Sequence, residues 1–374
     1  MDSISSSTDS RCPVSVITGF LGSGKTTLLN HILLHPAMSR AAVIINEFGE
    51  IGLDHLLVTT PSENMVLLNS GCLCCTVRGD LVNTLRDLYI KRRDGVIAAF
   101  DRVLVETTGL ADPVPIMQTL ITDVEIAPVF RLASVIALVD AVNGQSQLDH
   151  NPESVKQATV ADCLLITKTD LAAKEDISPL RQRLARINPG ARVLEVVRGT
   201  IDPDHLFTAG VTSPREQAPE VERWLSEEAF THATDGDGHA GHAHINGGRH
   251  DAHIHSFSVY RDQPVARAGL VAWLHLMTSL RGPDLLRVKG LLNVDGQPVV
   301  VNAVQTLIHE PITLDAWPSS DRRSRFVFIT RGMDRAAIEA TFAAFDLSGG
   351  APAARTIDPQ EYGKFLQVMG KLRR

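Results

Sequence analysis

The sequence has little of what marks a nucleic-acid-binding or membrane-spanning protein. Its 43 acidic residues outnumber its 36 lysines and arginines, giving a formal net charge of −7, whereas a nucleic-acid-binding surface normally carries a basic excess. The N-terminus has neither a basic start nor an apolar h-region, and no run approaches the roughly 18 apolar residues needed to cross a bilayer. These absences predict a cytoplasmic protein with no membrane segment and no nucleic-acid partner.

Cysteine is also scarce, and its distribution is uneven. Five cysteines in 374 residues are too few for a disulfide scaffold. Three of the five fall within residues 72–75, a spacing that indicates metal or redox chemistry. The length allows two domains of roughly 100 to 200 residues each, and a hydrophobic content of 44% supports a proper core.

Residues 19–26, GFLGSGKT, match the phosphate-loop template of a glycine, four residues and Gly-Lys-Ser/Thr. An apolar run precedes them and a helical pattern follows, which is the context that the motif requires and that a chance glycine-rich turn lacks. Backbone N–H groups of such a loop turn around a phosphate, and the helix N-terminus adds unpaired donors. Lys25 is expected to reach the β- and γ-phosphates, and Thr26 to ligate Mg2+. The predicted phosphate site comprises Gly19, Gly22, Ser23, Gly24, Lys25, Thr26 and Thr27.

Two further motifs follow apolar strands. Residues 103–109, VLVETTG, place Glu106 to face the Mg2+ shell and the Gly109 N–H to face the γ-phosphate, with a surface turn as the alternative. Residues 167–170, TKTD, fit the guanine-reading pattern Asn/Thr-Lys-x-Asp, although alone they fit a solvated helix cap equally well. Asp170 can accept from both the N1–H and the exocyclic amine of guanine. The three motifs in this order favour GTP over ATP and add Gly109, Thr167, Lys168 and Asp170 to the nucleotide site.

Slow intrinsic hydrolysis is expected, because no arginine finger or water-orienting glutamine can be identified. Phosphoryl transfer mainly requires positioning and charge stabilisation. The acidic loop at residues 46–54, NEFGEIGLD, lies where the first switch loop of a GTPase would be. The candidate catalytic residues are Lys25, Glu106, Glu50 and Asp54, with the carboxylates polarising or placing the water once the switch loops are ordered.

Short apolar strands alternate with helical patterns up to residue 200. This alternation predicts an α/β fold with a mostly parallel sheet and helices on both faces. Together with the phosphate-loop motif, it indicates the P-loop NTPase fold. Such sheets bind ligands at the carboxyl ends of their strands. Strands are predicted at residues 14–17, 41–45, 65–68, 103–105, 135–139, 163–166 and 192–196, and helices near residues 27–34, 81–92, 113–120, 154–161 and 177–187.

The pattern changes after residue 200. A smaller α+β domain is predicted from a strand at residues 253–260, a helix at 264–279, a hairpin at 286–304 about Asp295-Gly296, a strand at 324–330 and a helix at 334–344. The predicted organisation is a disordered N-terminus (residues 1–12), a GTPase domain (13–200), a linker with a histidine-rich segment (201–251), the C-terminal domain (252–347) and a flexible tail (348–374).

The motif GCLCC, residues 71–75, lies between the acidic loop and the Glu106 strand. Thiolates are soft ligands that suit Zn2+ and other thiophilic metals. In an extended segment Cys72 and Cys74 face the same side, and Cys75 joins them only if the backbone bends. Glu50, a histidine or a client protein would supply a fourth ligand. Buried structural cysteines and a redox pair are the alternatives.

Together these motifs resemble those of the CobW-type P-loop GTPases, a YjiA-like metal-handling family. The resemblance covers roughly residues 13–345, including LRVKG at 286–290 and NVDG at 293–296. It implies GTP hydrolysis coupled to binding and delivery of Zn2+, or of Co2+, Ni2+ or Fe2+, to a client apo-metalloprotein. It also implies that the cysteine motif supplies the metal ligands and lies near the switch loops.

Two positions depart from the family pattern. Ile45 stands where YjiA proteins carry a carboxylate implicated in metal binding. Residues 11–14, RCPV, do not supply the Cys-Pro-x-Leu-Val motif by which zinc-regulated members reach methionine aminopeptidase. No such client is therefore assigned.

The spacing His-x-x-His-x-His occurs twice, at residues 239–244 and 250–255. Neutral imidazoles suit borderline metals, and a glycine-rich tract can wrap a metal without prior organisation. An idle solvated linker is the alternative, and the last two histidines also fit an outward-facing strand. The predicted metal-loading arm consists of His239, His242, His244, His250, His253 and His255.

The preferred interpretation is a GTP-dependent metallochaperone in which Mg-GTP orders the switch loops and completes a thiolate site. A metal-insertion activator dedicated to one enzyme, of the nitrile hydratase or cobalamin-pathway type, is a second interpretation. A non-catalytic zinc buffer is a third. An ATP-using kinase is disfavoured because Asp170 points to guanine. The oligomeric state is left open.

Overall fold

The computed structural model describes residues 10–45, 66–69, 77–207, 221, 254–282 and 284–346. The chain divides into two compact units. The described part of the first unit is residues 10–207, with the gaps just given, and that of the second is residue 221 together with residues 254–346. No helix of the described residues is long and apolar enough to span a membrane.

In the described part of the first unit, seven parallel strands form one sheet. Their order is β3-β2-β4-β1-β5-β6-β7, so the phosphate-loop strand β1 lies between β4 and β5. The predicted parallel sheet is confirmed, and each predicted strand of this unit is present. The strands are β1 (Cys12–Gly19), β2 (Ala41–Ile45), β3 (Val66–Asn69), β4 (Arg102–Glu106), β5 (Phe130–Asp140), β6 (Cys163–Thr167) and β7 (Arg192–Val196).

Helices cover both faces of this sheet. Ile17 packs with Leu28 of the first helix, while its strand neighbour Val16, which points to the opposite face, is equally buried. The α-helices are α1 (Lys25–Leu33), α2 (Val77–Arg93), α3 (Val114–Thr122), α4 (Gly144–His150), α5 (Pro152–Val160), α6 (Lys174–Ile187) and α7 (Pro203–Phe207), and a short 3-10 helix spans Pro36–Met38.

Two short helices, α4 and α7, were not predicted from the sequence. α7 begins only three residues into the predicted linker, and its Leu206 is completely buried in the core of the first unit. Helices of seven and five residues complete at most two turns, too few to show a helical periodicity. The core of the first unit therefore extends to Phe207. At the other end, Cys12 already belongs to β1.

The second unit is built on an antiparallel sheet of the order β11-β10-β9-β13-β8, with β12 paired to β10. The predicted hairpin is confirmed: Asp295 and Gly296 have φ values of 50° and 88°, as a tight turn between two strands requires. The elements are β8 (Ile254–Arg261), α8 (Arg267–Arg281), β9 (Leu285–Val294), β10 (Gln297–Val304), β11 (Leu307–Ile308), β12 (Ile312–Thr313), β13 (Ser324–Arg331) and α9 (Arg335–Thr341), followed by a 3-10 helix at Phe342–Asp346.

Apolar residues cover both faces of this second sheet. On one face Trp273 of α8 packs among aromatic rings, and its indole N–H donates to Thr341 Oγ1 over 2.8 Å. On the other face Val221, fully buried, packs with Leu291, Val300 and other strand residues. Val221 lies within the predicted linker, so at least this residue of that stretch contributes to the packing of the second unit.

Candidate nucleotide site

Glycines allow the phosphate loop its left-handed backbone and its close packing against β5. β1 ends at Gly19, and α1 begins at Lys25 after Gly24, whose φ of 94° lies in the left-handed region. A Cβ at Gly19 would lie 2.6 Å from the carbonyl oxygen of Leu138, so a larger residue would push β1 away from β5. The N-terminus of α1 therefore opens toward the end of the loop, as anion binding requires.

The Lys25 ammonium lies at the mouth of this loop. Nζ donates to the carbonyl oxygens of Gly19, over 2.8 Å, and of Phe20, over 3.2 Å. Lys25 is 9% exposed as a whole residue, so its charge is held beside the loop instead of extending into solvent. This position fits the predicted contact with the β- and γ-phosphates.

Thr26 and Glu106 meet at the start of α1 and the end of β4. The Thr26 hydroxyl donates to Glu106 Oε1 over 3.3 Å, although the two residues are 80 positions apart in the sequence. Parallel pairing of β1 with β4 brings them together, with Ile17 in register with Glu106. A hydroxyl and a carboxylate are hard oxygen donors that suit Mg2+, so the donor set fits the predicted ion.

The segment after β4 is packed against the phosphate loop. The Thr107 hydroxyl donates to Thr18 Oγ1 over 2.9 Å, and the Thr107 N–H donates to the carbonyl oxygen of Ile17. A Cβ at Gly109 would lie 2.6 Å from the backbone nitrogen of Leu21, so only glycine permits this approach. The predicted partner of the γ-phosphate therefore lies next to the phosphate loop.

These residues surround one open cavity of about 840 Å³. The structure thus brings together most of the predicted nucleotide residues at the carboxyl edge of the sheet, as expected for a parallel fold. The lining consists of Leu21, Gly22, Gly24, Lys25, Thr26, Thr27, Ile45, Glu106, Thr107, Thr108, Gly109, Leu110, Ala111 and Lys168.

Thr167 and Lys168, the first two residues of the guanine-reading motif, are fixed by neighbouring elements. The Thr167 hydroxyl donates to the carbonyl oxygen of Ser23 over 2.7 Å, which ties the end of β6 to the phosphate loop. Lys168, with φ 57°, places Nζ 2.7 Å from Oδ2 of Asp140. The Asp140 side chain is 2% exposed, and it ends the neighbouring strand β5.

Asp140 was not among the residues that the sequence predicted for the nucleotide site. Burial alone would raise the pKa of Asp140, but hydrogen bonds from Lys168, Asn143 and the Val142 N–H outweigh this effect and hold the pKa below its usual value. The carboxylate is therefore ionised and neutralises the Lys168 ammonium. The sequence did contain a signal for Asp140, since it is a carboxylate at the end of a buried strand. The carboxyl ends of parallel strands meet at one sheet edge, so this residue could have been placed near the other motifs.

Asp170, the residue predicted to read guanine, is not among the residues that line the 840 Å³ cavity. Its Oδ2 is 3.4 Å from Nε of Arg198, in the turn after β7. The Asp170 side chain is 25% exposed and that of Arg198 is 82% exposed, so solvent reaches the pair readily. No motif pointed to Arg198, since it follows Asp170 by 28 residues.

Several predicted residues lie outside the described part of the chain. They are Glu50, Asp54, Cys72, Cys74, Cys75, His239, His242, His244, His250 and His253. Within the described ranges, no group of three or more His, Cys, Asp or Glu side chains is placed to hold a metal. His255 is an exposed residue of β8, in register with Thr330.

The two described residues that flank the acidic and cysteine segments lie at the same sheet edge as the cavity. Ile45, the last described residue before the acidic loop, is in register with Glu106 on one side and with Asn69 on the other. Asn69 is the last described residue before the cysteine motif. By contrast, Cys12 and Cys163 are buried, and burial raises the pKa of the Cys12 thiol to about 11, which disfavours the thiolate that metals bind.

Comparisons with known proteins agree with this geometry. Residues 13–195 match the family described as CobW/HypB/UreG, nucleotide-binding domain, and residues 254–346 match the cobalamin synthesis protein cobW C-terminal domain. The zinc chaperone YjiA of Escherichia coli (strain K12) is 35% identical over 332 residues, which cover 88% of this chain and 97% of that protein.

Two other relatives are similar over different lengths. The zinc-regulated GTPase metalloprotein activator 1 of Schizosaccharomyces pombe is 36% identical over 197 residues, covering 51% of this chain and 47% of that protein. The crystal structure of Zn(II)-bound YjiA GTPase from E. coli superposes with a TM-score of 0.64 at 30% identity, covering 90% of this chain and 99% of the other. On the match to both family domains and to YjiA along its length, this chain belongs to the CobW/HypB/UreG family of nucleotide-binding proteins.

Proposed function

We propose that this protein is a GTPase that couples hydrolysis of GTP to the binding and delivery of zinc or a related transition metal. The observation that carries the proposal is the convergence of three nucleotide motifs at one sheet edge, in register with the strands that lead into the acidic and cysteine segments. The nucleotide and the metal would therefore be held by adjacent strand ends.

The nucleotide roles follow from the contacts. Lys25, already drawn to the phosphate loop, neutralises the β- and γ-phosphates, and the amides at the start of α1 bind the phosphate oxygens. Thr26 and Glu106 hold Mg2+, which when bound neutralises charge that develops in the transition state. Gly109 donates its N–H toward the γ-phosphate.

Guanine selection falls to the loop after β6. Asp170 accepts from the two donors of guanine after its contact with Arg198 opens. Lys168, fixed by Asp140, presents its aliphatic stem to the base. The proposed catalytic residues are Lys25, Glu106, Glu50 and Asp54. Turnover without a partner is expected to be slow, because the described residues that line the cavity include no arginine.

The part of the proposal that concerns the metal rests on the distance that the chain can span between the end of β3 and the cysteine motif. Cys72 follows Asn69 by three residues, a stretch that spans at most about 11 Å. Asn69 in turn is two strands from Glu106, a separation of about 10 Å. We propose Cys72, Cys74 and Cys75 as the ligands, with Glu50 completing the site and the six histidines of residues 239–255 loading it.

The names of the relatives support zinc as the cargo. The E. coli relative is a zinc chaperone, and its crystal structure contains Zn(II). The S. pombe relative is a metalloprotein activator, which favours a second candidate function, activation of one dedicated apo-metalloprotein. A dedicated activator forms a stable complex with its apo-enzyme, whereas a general chaperone does not, and size-exclusion chromatography of the mixture distinguishes them.

The decisive experiment is a competitive titration with Zn2+ and Co2+. The full chain is titrated without nucleotide, with GDP and with a non-hydrolysable GTP analogue, each with Mg2+. We expect the zinc affinity to depend on the nucleotide and this dependence to disappear in Cys74→Ala. The matched control is Cys163→Ala, which removes a buried thiol from β6. Zinc affinity indifferent to nucleotide in the wild type would refute the coupling and leave a zinc buffer.

A further inference from the structure

Two neighbouring side chains of α5 hold the segment that follows β4. Gln157 is 2% exposed, and its Nε2 donates to the carbonyl oxygen of Gly109 over 3.2 Å and to that of Ala111 over 3.0 Å. Lys156 Nζ lies 3.1 Å from Oδ2 of Asp112. Both contacts cross more than 40 positions of sequence, so they fix this segment to a separate element of the fold.

The same segment is fixed on its other side to β1 and the phosphate loop. Thr107 is bonded to β1 through its hydroxyl and its N–H. Gly109 lies against the backbone of Leu21, and the Ala111 N–H closes a turn onto the carbonyl oxygen of Thr108. Residues 107–112 are therefore held between the phosphate loop and α5.

The amide of Gln157 has a close chemical counterpart in the same unit. Asn188 is 1% exposed, and its Nδ2 donates to the carbonyl oxygens of Ala158, Thr159 and Ala161 at the end of α5. Within the described part of the chain, neither amide oxygen accepts a hydrogen bond. The two residues differ in what they hold: Asn188 secures a helix end, and Gln157 secures the turn that carries Gly109.

We propose that Gln157, assisted by Lys156, is a positioning residue that presents the Gly109 N–H to the γ-phosphate. The proposal rests on the guanine-nucleotide function proposed above. A backbone N–H on an unrestrained turn must be ordered when the nucleotide binds, and this ordering weakens affinity. Because GDP has no γ-phosphate, the turn held by Gln157 favours GTP over GDP instead of strengthening both equally.

The test compares Gln157→Met with Asn188→Leu in the full chain. Both variants remove buried amide donors and retain much of the side-chain volume. Affinities for fluorescent GDP and for a fluorescent non-hydrolysable GTP analogue are measured with Mg2+. Gln157→Met should weaken the analogue about tenfold, as expected for the loss of two neutral hydrogen bonds, and leave GDP unchanged. Asn188→Leu should leave the ratio of the two affinities as in the wild type.

Equal loss for both nucleotides, or an unchanged ratio, would overturn the positioning role of Gln157. If Gln157→Met does not fold, Lys156→Met at the partly exposed ion pair serves in its place. Lys156→Met should also weaken the GTP analogue relative to GDP, but by a smaller factor than Gln157→Met. An unchanged ratio of the two affinities overturns the proposal. Failure of the wild type to bind either guanine nucleotide would instead refute the proposed function itself.

Discussion

Gly109 is the position at which a single added methyl group should lower GTP hydrolysis while leaving GDP binding intact. In Gly109→Ala the new Cβ would lie 2.6 Å from the Leu21 nitrogen and 2.8 Å from the Leu21 Cα. Both are backbone atoms of the phosphate loop, so no rotation of a side chain relieves the contact. The turn after β4 must move away from the loop.

The size of this movement follows from the contact distance. Ordinary van der Waals contact begins near 3.4 Å, so the turn must shift by about 0.8 Å, the difference between 3.4 and 2.6 Å. A misplacement of about 1 Å near reacting atoms costs about 100-fold in rate. We therefore expect multiple-turnover GTP hydrolysis to fall about 100-fold, while the affinity for GDP, which lacks the γ-phosphate, is unchanged.

The assay follows phosphate release under saturating GTP, with GDP affinity measured in parallel. Gly269→Ala is the matched control, because its Cβ would also clash with a backbone atom, the carbonyl oxygen of Phe345, but within the core of the second unit. It should lower stability and leave hydrolysis per folded molecule unchanged. Wild-type hydrolysis in Gly109→Ala would show that the close approach of Gly109 to Leu21 has no catalytic consequence.

Three further predictions concern other contacts. Asp170→Asn should weaken GTP binding and strengthen binding of xanthosine triphosphate, since an amide can donate to the xanthine oxygen; competition with both nucleotides measures this, and retained GTP preference would contradict the guanine assignment. Asp140→Asn should lower the free energy of unfolding by about 2 kcal/mol. Because the pKa of Asp140 is lowered in the folded state, this difference should be constant above about pH 5 and should shrink as the pH falls through the unfolded and then the folded pKa. Denaturant titrations that show no such loss would refute it. Val221→Asp should destabilise the second unit by about 3 kcal/mol, because it buries an unpaired carboxylate, and an unchanged thermal midpoint would contradict the burial of this residue.

The sequence predicted those parts of the site whose signals are local. Each of the three nucleotide motifs is a contiguous stretch of sequence at the end of an apolar strand, and each strand could be identified by itself. The motifs are the phosphate loop, the ETTG segment that begins at Glu106 and the TKTD loop. The contacts that fix these parts could not be predicted, because they join distant positions. Lys168 with Asp140 is one case, and Gln157 with Gly109 is another.

These contacts could not be predicted because they depend on the order of the strands in the sheet. β1 pairs with β4 and β5, and this arrangement decides which strand ends become neighbours. Alternation of strands and helices predicts a parallel sheet but leaves that order open. Asp140 becomes identifiable as the partner of Lys168 only after β5 is known to lie beside β6.

The strand register also constrains how nucleotide and metal can affect each other. Asn69, Ile45, Glu106 and Ile17 form one row across four adjacent strands, and their hydrogen-bonded ladders make this row stiff. A change at the γ-phosphate cannot move the strands independently, since both faces of the sheet are covered by packed helices. A response to the γ-phosphate would then pass through the stretches of chain that follow Ile45 and Asn69, because the segment that follows Glu106 is held by β1, the phosphate loop and α5. Coupling between the two proposed sites would therefore depend on stretches of chain that leave one stiff sheet edge, and it would need no rearrangement of the sheet.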